Sequence, residues 1–218
     1  MRHTIWLALL LIACGHRATP METAMDDQSK QHQDADVEQQ IALLETPFGD
    51  GPHQRERERA AEWLVANADR AYPRILARLK DGHTSIAVIE LMPRFGRAES
   101  IPLLEHLLIG PETTAWAAAQ ALALHPQAAA GQALKRSLAR REPAVAIIAA
   151  DALGTRGDRS ACAALATLID APDAQVRYHV VQAAGKLGCL TRGALEALAR
   201  ADADADVRGL ATNLLDKQ

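Results

Sequence analysis

A chain of 218 residues with 24 basic against 27 acidic side chains and 49% hydrophobic residues can bury a sizeable core. Its net charge of −3 leaves no general excess of positive charge for gripping a phosphate backbone. Three cysteines are too few to build a disulfide scaffold. Only 3% aromatic residues, short valine and threonine runs and no Asn-Gly turns argue against a β-sheet protein.

Met1-Arg2-His3 makes a short basic start, and Ile5 to Ala13 an apolar run. At about ten residues it is half the roughly twenty needed to cross a hydrocarbon layer, so it reads as an export signal. The run stops at Leu11-Ile12-Ala13-Cys14. This resembles the lipobox of bacterial lipoproteins, where a branched apolar residue lies three before the cysteine and a small one just before it. The resemblance implies that residues 1–13 are a signal peptide and that Cys14 is alkylated by a diacylglyceryl group and then becomes the acylated first residue. Two or three acyl chains hold a protein firmly where one holds it marginally, at about 0.8 kcal/mol per buried methylene. An ordinary secretory signal beside a cysteine is the alternative. Gly15, in place of Asp, is similar to lipoproteins sent to an outer membrane. The expected location is therefore a bacterial cell envelope, with the chain lipid-anchored.

Residues 14–36 are polar and acidic without an apolar period, which predicts a disordered tether. From Gly15 to Asp50 two basic face eight acidic side chains, and from Gly51 onward twenty-one face nineteen. An acidic tether is repelled by anionic headgroups and would hold the rest away from the surface. Within residues 37–50, Val37, Ile41 and Leu44 follow a helical period, with Asp36 expected to cap the helix. That segment is expected to cap the following domain, with a disordered stub as the alternative.

Residues 51–218 repeat. "DAQVR" at Asp173–Arg177 returns as "DADVR" at Asp204–Arg208, thirty-one residues on, and "EPAVA" at Glu142–Ala146 lies one step back. Gly154 and Gly157 precede Gly185 and Gly188 by the same interval. Upstream the step shortens: "YPRIL" from Tyr72 matches "IPLLE" from Ile101 at twenty-nine. Units start near Gln54, His83, Glu112, Glu142, Asp173 and Asp204. Each is expected to be a helix pair, the last cut to one helix. In the fifth, Val176, Val180, Ala183, Ala184 and Leu187 mark one face, Asp173 the N-cap, and Gly185 and Gly188 the end. In the fourth, Gly157–Asp170 starts a second helix that buries Ala161, Leu165, Leu168 and Ile169. Pro93 should kink the first helix of the second unit. Alanine-rich stretches such as Ala115–Leu124 suit closely packed helices.

The pattern Asp-x-x-Val-Arg, an Ala-Leu-Gly-like end, and Gly-Asp before a Leu-rich helix resembles HEAT repeats of the short kind associated with phycobilisome lyases. It is strong over Glu142–Leu210 and weaker upstream, where "LALHPQ" at Leu122–Gln127 replaces the glycine turn. The resemblance implies an all-α fold, an α-α superhelix of about five helix pairs. It also implies that the second helices line a concave face binding another macromolecule.

No pair of the eight histidines has the spacing of a helical metal site, and there is no nucleophile elbow, P-loop or dinucleotide fingerprint. No metal, cofactor, small-molecule substrate or nucleic-acid partner is expected, and no catalytic activity. Cys162 and Cys189 lie in successive units. A disulfide between them needs Cα atoms within about 7 Å; two small buried thiols are the alternative. The second helices carry Arg74 and Arg78, then Leu103 and Leu107 at matching places, then Gln132 and Arg136 with Arg140 nearby. On one surface these would form a groove with basic edges for an acidic protein segment. Leu103 and Leu107 as core, and the arginines as a solvated outer helix face, are the competing readings; the alternating Arg and Glu of Gln54–Leu64 are the residues read as able to meet the acidic tether or cap. The expected function is a membrane-anchored protein-interaction scaffold. A structural spacer in an envelope complex is the alternative, and a lyase-like accessory subunit a weaker one.

Overall fold

The computed structural model describes residues 31, 34–46, 51–140 and 142–217. The leader, Cys14 and most of the acidic tether lie outside the described residues. Twelve α-helices follow one another among them, and no strand. Helix α1 spans 34–44. The pairs are α2 (Gly51–Ala66) with α3 (Ala68–Lys80), α4 (Ile86–Phe95) with α5 (Ile101–Leu107), and α6 (Glu112–Leu124) with α7 (Ala128–Leu138). They continue with α8 (Pro143–Arg156) and α9 (Cys162–Ala166), α10 (Ala174–Lys186) and α11 (Arg192–Ala201), and α12 (Ala205–Leu215) closes the series. The architecture is an α-solenoid. First helices pack on first helices, α4 on α6, α6 on α8, α8 on α10 and α10 on α12.

The repeat period is written into contacts as well as letters. The Asp173 carboxylate accepts from the N–H groups of Gln175 and Val176 at 2.8 and 3.2 Å, and Asp204 accepts from Asp206 and Val207 at 2.9 and 3.2 Å. Each takes up amide hydrogens that a first helical turn leaves unpaired. The arginine of each Val-Arg pair turns back to the preceding loop: Arg177 donates to the carbonyls of Ala171 and Pro172, and Arg208 to those of Asp202 and Ala203, one period on. Gly157 and Gly188 have φ of +72° and +65° and follow the ends of α8 and α10, where a Cβ would be strained.

Gly185 does not end its helix as expected; like Gly154 it lies inside one. A Cβ on Gly154 would stand 3.1 Å from the Cα of Ala183, and one on Gly185 2.7 Å from a methyl of Leu214. Glycine at 154 lets the backbones of α8 and α10 approach, which offsets its poor helix propensity, whereas at 185 the facing atoms are the flexible end of Leu214. Pro93, expected to kink α4, falls in its last turn instead. The helix ends two residues later at Phe95, and the chain leaves through Gly96 at φ +65°. The proline therefore removes a single N–H near the helix end.

The ends of α6 and α9 depart from the repeat. α6 has no left-handed residue after it; its C-cap His125 is extended. The guanidinium of Arg156, from the next unit, closes that end by donating to the carbonyls of Leu122, Ala123, His125 and Gln127 at 3.1, 3.3, 2.6 and 2.9 Å. The second helix of the fourth unit begins as a 3-10 turn at Arg159–Ala161 and is α-helical only to Ala166. Ala161 and Leu165 are buried, whereas Leu168 and Ile169, expected on the same buried side, are only half-buried. Residues 167, 168 and 171 donate to carbonyls three back, tighter turns that carry them off the helical face.

One apolar core runs from Val37 to Leu187. Val37, Ile41 and Leu44 of α1 belong to it, so α1 covers the first pair. It begins by residue 34, which puts Asp36 inside the helix and not at its cap. Each fully buried leucine or isoleucine contributes about 1.5–3 kcal/mol by leaving water.

Candidate interaction surface

The basic residues expected to edge a groove, Arg74, Arg78 and Arg136, are each paired with an acid of this chain. Burying Val37, Ile41 and Leu44 turns the acidic edge of α1 onto α3. There Arg74 meets Asp34 at 2.5 Å and Glu38 at 3.2 Å, and Arg78 meets Glu38 at 2.9 Å and Glu45 at 3.2 Å. The acidic segment that these arginines hold is the chain's own. Leu107 is buried in the core and Leu103 packs half-buried against it. Arg136 forms a two-toothed pair with Glu105 at 3.0 and 2.6 Å, while Gln132 and Arg140 are exposed.

A different groove, of about 590 Å³, opens where α9 stops short. Ile169, Ala171 and Pro172 line one side; Ala194, Ala197, Leu198 and Ala201, one stripe of α11, line the other. Between them lies the Arg177–Asp202 pair. Arg177 donates through Nε and Nη2 to the two Asp202 oxygens at 3.0 and 2.8 Å, and their side chains are 12% and 5% exposed. The hydrogen bonds from Arg177 hold the Asp202 carboxyl below the usual carboxylate range despite its desolvation, with the Asp204 N–H adding to them. Asp202 in turn holds the proton on Arg177 more firmly. The groove therefore contains a charge pair already compensated, surrounded by aliphatic surface, and it can receive apolar side chains.

A second depression, of about 390 Å³, lies between the N-terminal ends of α6 and α8. Ile109, Trp116 and Ile147 line it, with Glu112 and Glu142 at its edge. Ile109 is 45% exposed. Trp116, Ile147 and Tyr178 recur at thirty-one residues on successive first helices, a signal that the sequence carries but that helical apolar spacing alone does not single out.

Ser100 and His125 face each other in the core at 3.4 Å, but the pair is built as a strut. The Gln127 N–H is received by His125 Nδ1, so the ring proton sits on Nε2, which points at the Arg97 carbonyl 3.3 Å away. The Ser100 hydroxyl donates to the same carbonyl at 2.9 Å. No free imidazole nitrogen is left to take the hydroxyl proton. Burial depresses the His125 pKa below its ordinary value, with Arg156 acting the same way and the Arg97 carbonyl opposing. Cys162 and Cys189 are joined in a disulfide, their Cα atoms 5.5 Å apart, tying α9 to the turn after α10. Among the described residues no group of three or more His, Cys, Asp or Glu could hold a metal ion. No helix among them is long and apolar enough to cross a membrane.

Residues 131–216 match the family described as HEAT repeats. The match runs from within α7 through α12, where the Asp-x-x-Val-Arg pattern is regular. No curated protein matches the chain. Among solved structures, the chain is similar to the complex of CpcE and CpcF of phycocyanin lyase from Nostoc sp. PCC7120. The identity is 22%, the TM-score 0.42, and the alignment covers 82% of this chain and 75% of that one.

Proposed function

We propose that this chain is a lipid-anchored protein of a bacterial envelope whose helix-pair stack is a scaffold for another protein, without catalytic activity of its own. The observation that carries the scaffold reading is the groove beside α11, where the stack of second helices is interrupted and an aliphatic stripe is left facing a compensated ion pair. An amphipathic helix of a partner, offering aliphatic side chains, fits that chemistry. The anchor rests on Leu11-Ile12-Ala13-Cys14.

A photo-cross-linking side chain at Ala197, activated in intact cells, is expected to give a discrete adduct that Leu198→Glu removes while helical circular dichroism is unchanged. A spacer with no ligand gives no adduct at either. Separately, Cys14→Ser is expected to move the protein out of salt-washed membranes; a variant still retained there would remove the anchor from the proposal.

A further inference from the structure

We propose that the depression between α6 and α8 is a second docking site, for a segment of a partner protein that presents a large apolar side chain flanked by lysine or arginine. This rests on the scaffold reading but not on the groove beside α11. Three observations converge. Ile109, 45% exposed, shares the depression with half-buried Trp116 and Ile147, and an aromatic wall beside an exposed aliphatic is the composition of an interface anchor. Its volume, about 390 Å³, is room for such a side chain. Glu112 and Glu142 stand exposed at its edge, and among the described residues neither carboxylate shows a hydrogen bond or ion pair and no lysine or arginine lines it; Arg141, next to Glu142 in sequence, lies outside the described residues. Arg140 is two residues from Glu142 in sequence and is not part of the lining.

Charge then selects the occupant. The chain's own leader segment, with eight acidic against two basic side chains from Gly15 to Asp50, is repelled by the two carboxylates. The same face of a second copy brings the same carboxylates. A cationic segment gains from both, with attraction steering encounter and the buried apolar contact setting residence.

The test uses the full chain in a non-ionic detergent and a fluorescein-labelled synthetic peptide carrying a Leu-Phe centre between lysine pairs, followed by anisotropy. Saturable binding is expected, weakened at least about tenfold by Glu112→Lys with Glu142→Lys, and similarly by Ile109→Ser, an exposed change that should leave circular dichroism intact. A peptide with glutamates replacing the lysines should bind at least about tenfold more weakly. Equal binding by the charge-reversed variant, no saturable binding, or self-association that the reversal abolishes would each overturn the proposal. Leu198→Glu should leave peptide binding unchanged; loss there would place the peptide in the other groove. Failure here with the Ala197 adduct intact removes this site alone, and failure of both removes the scaffold reading.

Discussion

In the C-terminal half, Arg177 and Arg208 reach equivalent loop carbonyls one repeat apart, and Asp173 and Asp204 cap equivalent helices. Upstream, the end of α6 is closed by Arg156 of the following unit, while Arg78 on Glu38 and Glu45 and Arg97 on Asp69 join side chains of different elements. The difference shows that one solenoid can close its helix ends by local, periodic chemistry or by long-range polar bonds. The first is visible as a repeat, and the second is not.

That contrast can be broken by perturbing each kind of contact in turn. The largest effect should come from reducing the disulfide, which closes a loop of sequence separation 27. Its loss is expected to cost about 3.5 kcal/mol on the chain-entropy estimate, and thermal melts with and without reductant measure it. Arg177→Ala leaves a buried carboxylate without its partner and should cost about 3 kcal/mol, with Asp202→Asn in the same chain recovering part. Urea titration of the single and double variants would show whether the coupling exists. Gly154→Val drives a side chain against the Ala183 backbone and should cost about 2 kcal/mol. Gly185→Ala meets only the flexible end of Leu214 and should be near neutral, so equal losses in the two would refute the close-packing account. Arg156→Met should cost about 1.5 kcal/mol by stripping the α6 carbonyls, read as faster hydrogen exchange at the start of α7 and the end of α6.

The smallest expected effect is that of pH on His125. Its folded pKa is below the ordinary value near 6.5, so the unfolded chain binds the proton more readily. Stability is complete above about pH 6.5 and declines as pH falls toward the folded pKa. Asp202, also depressed, adds a further loss at more acid pH, in the same direction. His125→Gln should flatten the first decline and leave the second; an unchanged profile would show that the ring is not the group responsible.

Helix pairs, unit starts and the α1 face could be read from letters because period and apolar spacing are local properties. Val37, Ile41 and Leu44 announce a buried face whatever lies opposite. The fate of Arg74 and Arg78 could not be read in that way, since it depends on how α1 lies across α3. Nor could the shortening of α9, which hangs on tight turns after Ala166 and on the bridge at Cys162. Of the two grooves, the one beside Trp116 left a trace in the thirty-one-residue row with Ile147 and Tyr178.

What the sequence determined alone was an all-helical repeat with one shared interior, because each amphipathic pair must hide its apolar side against a neighbour. Tertiary structure decided which surfaces stay open. Whether an arginine meets a partner or its own chain, and whether an aliphatic stripe is covered or bare, follows from distances between segments far apart in sequence, which no local pattern encodes.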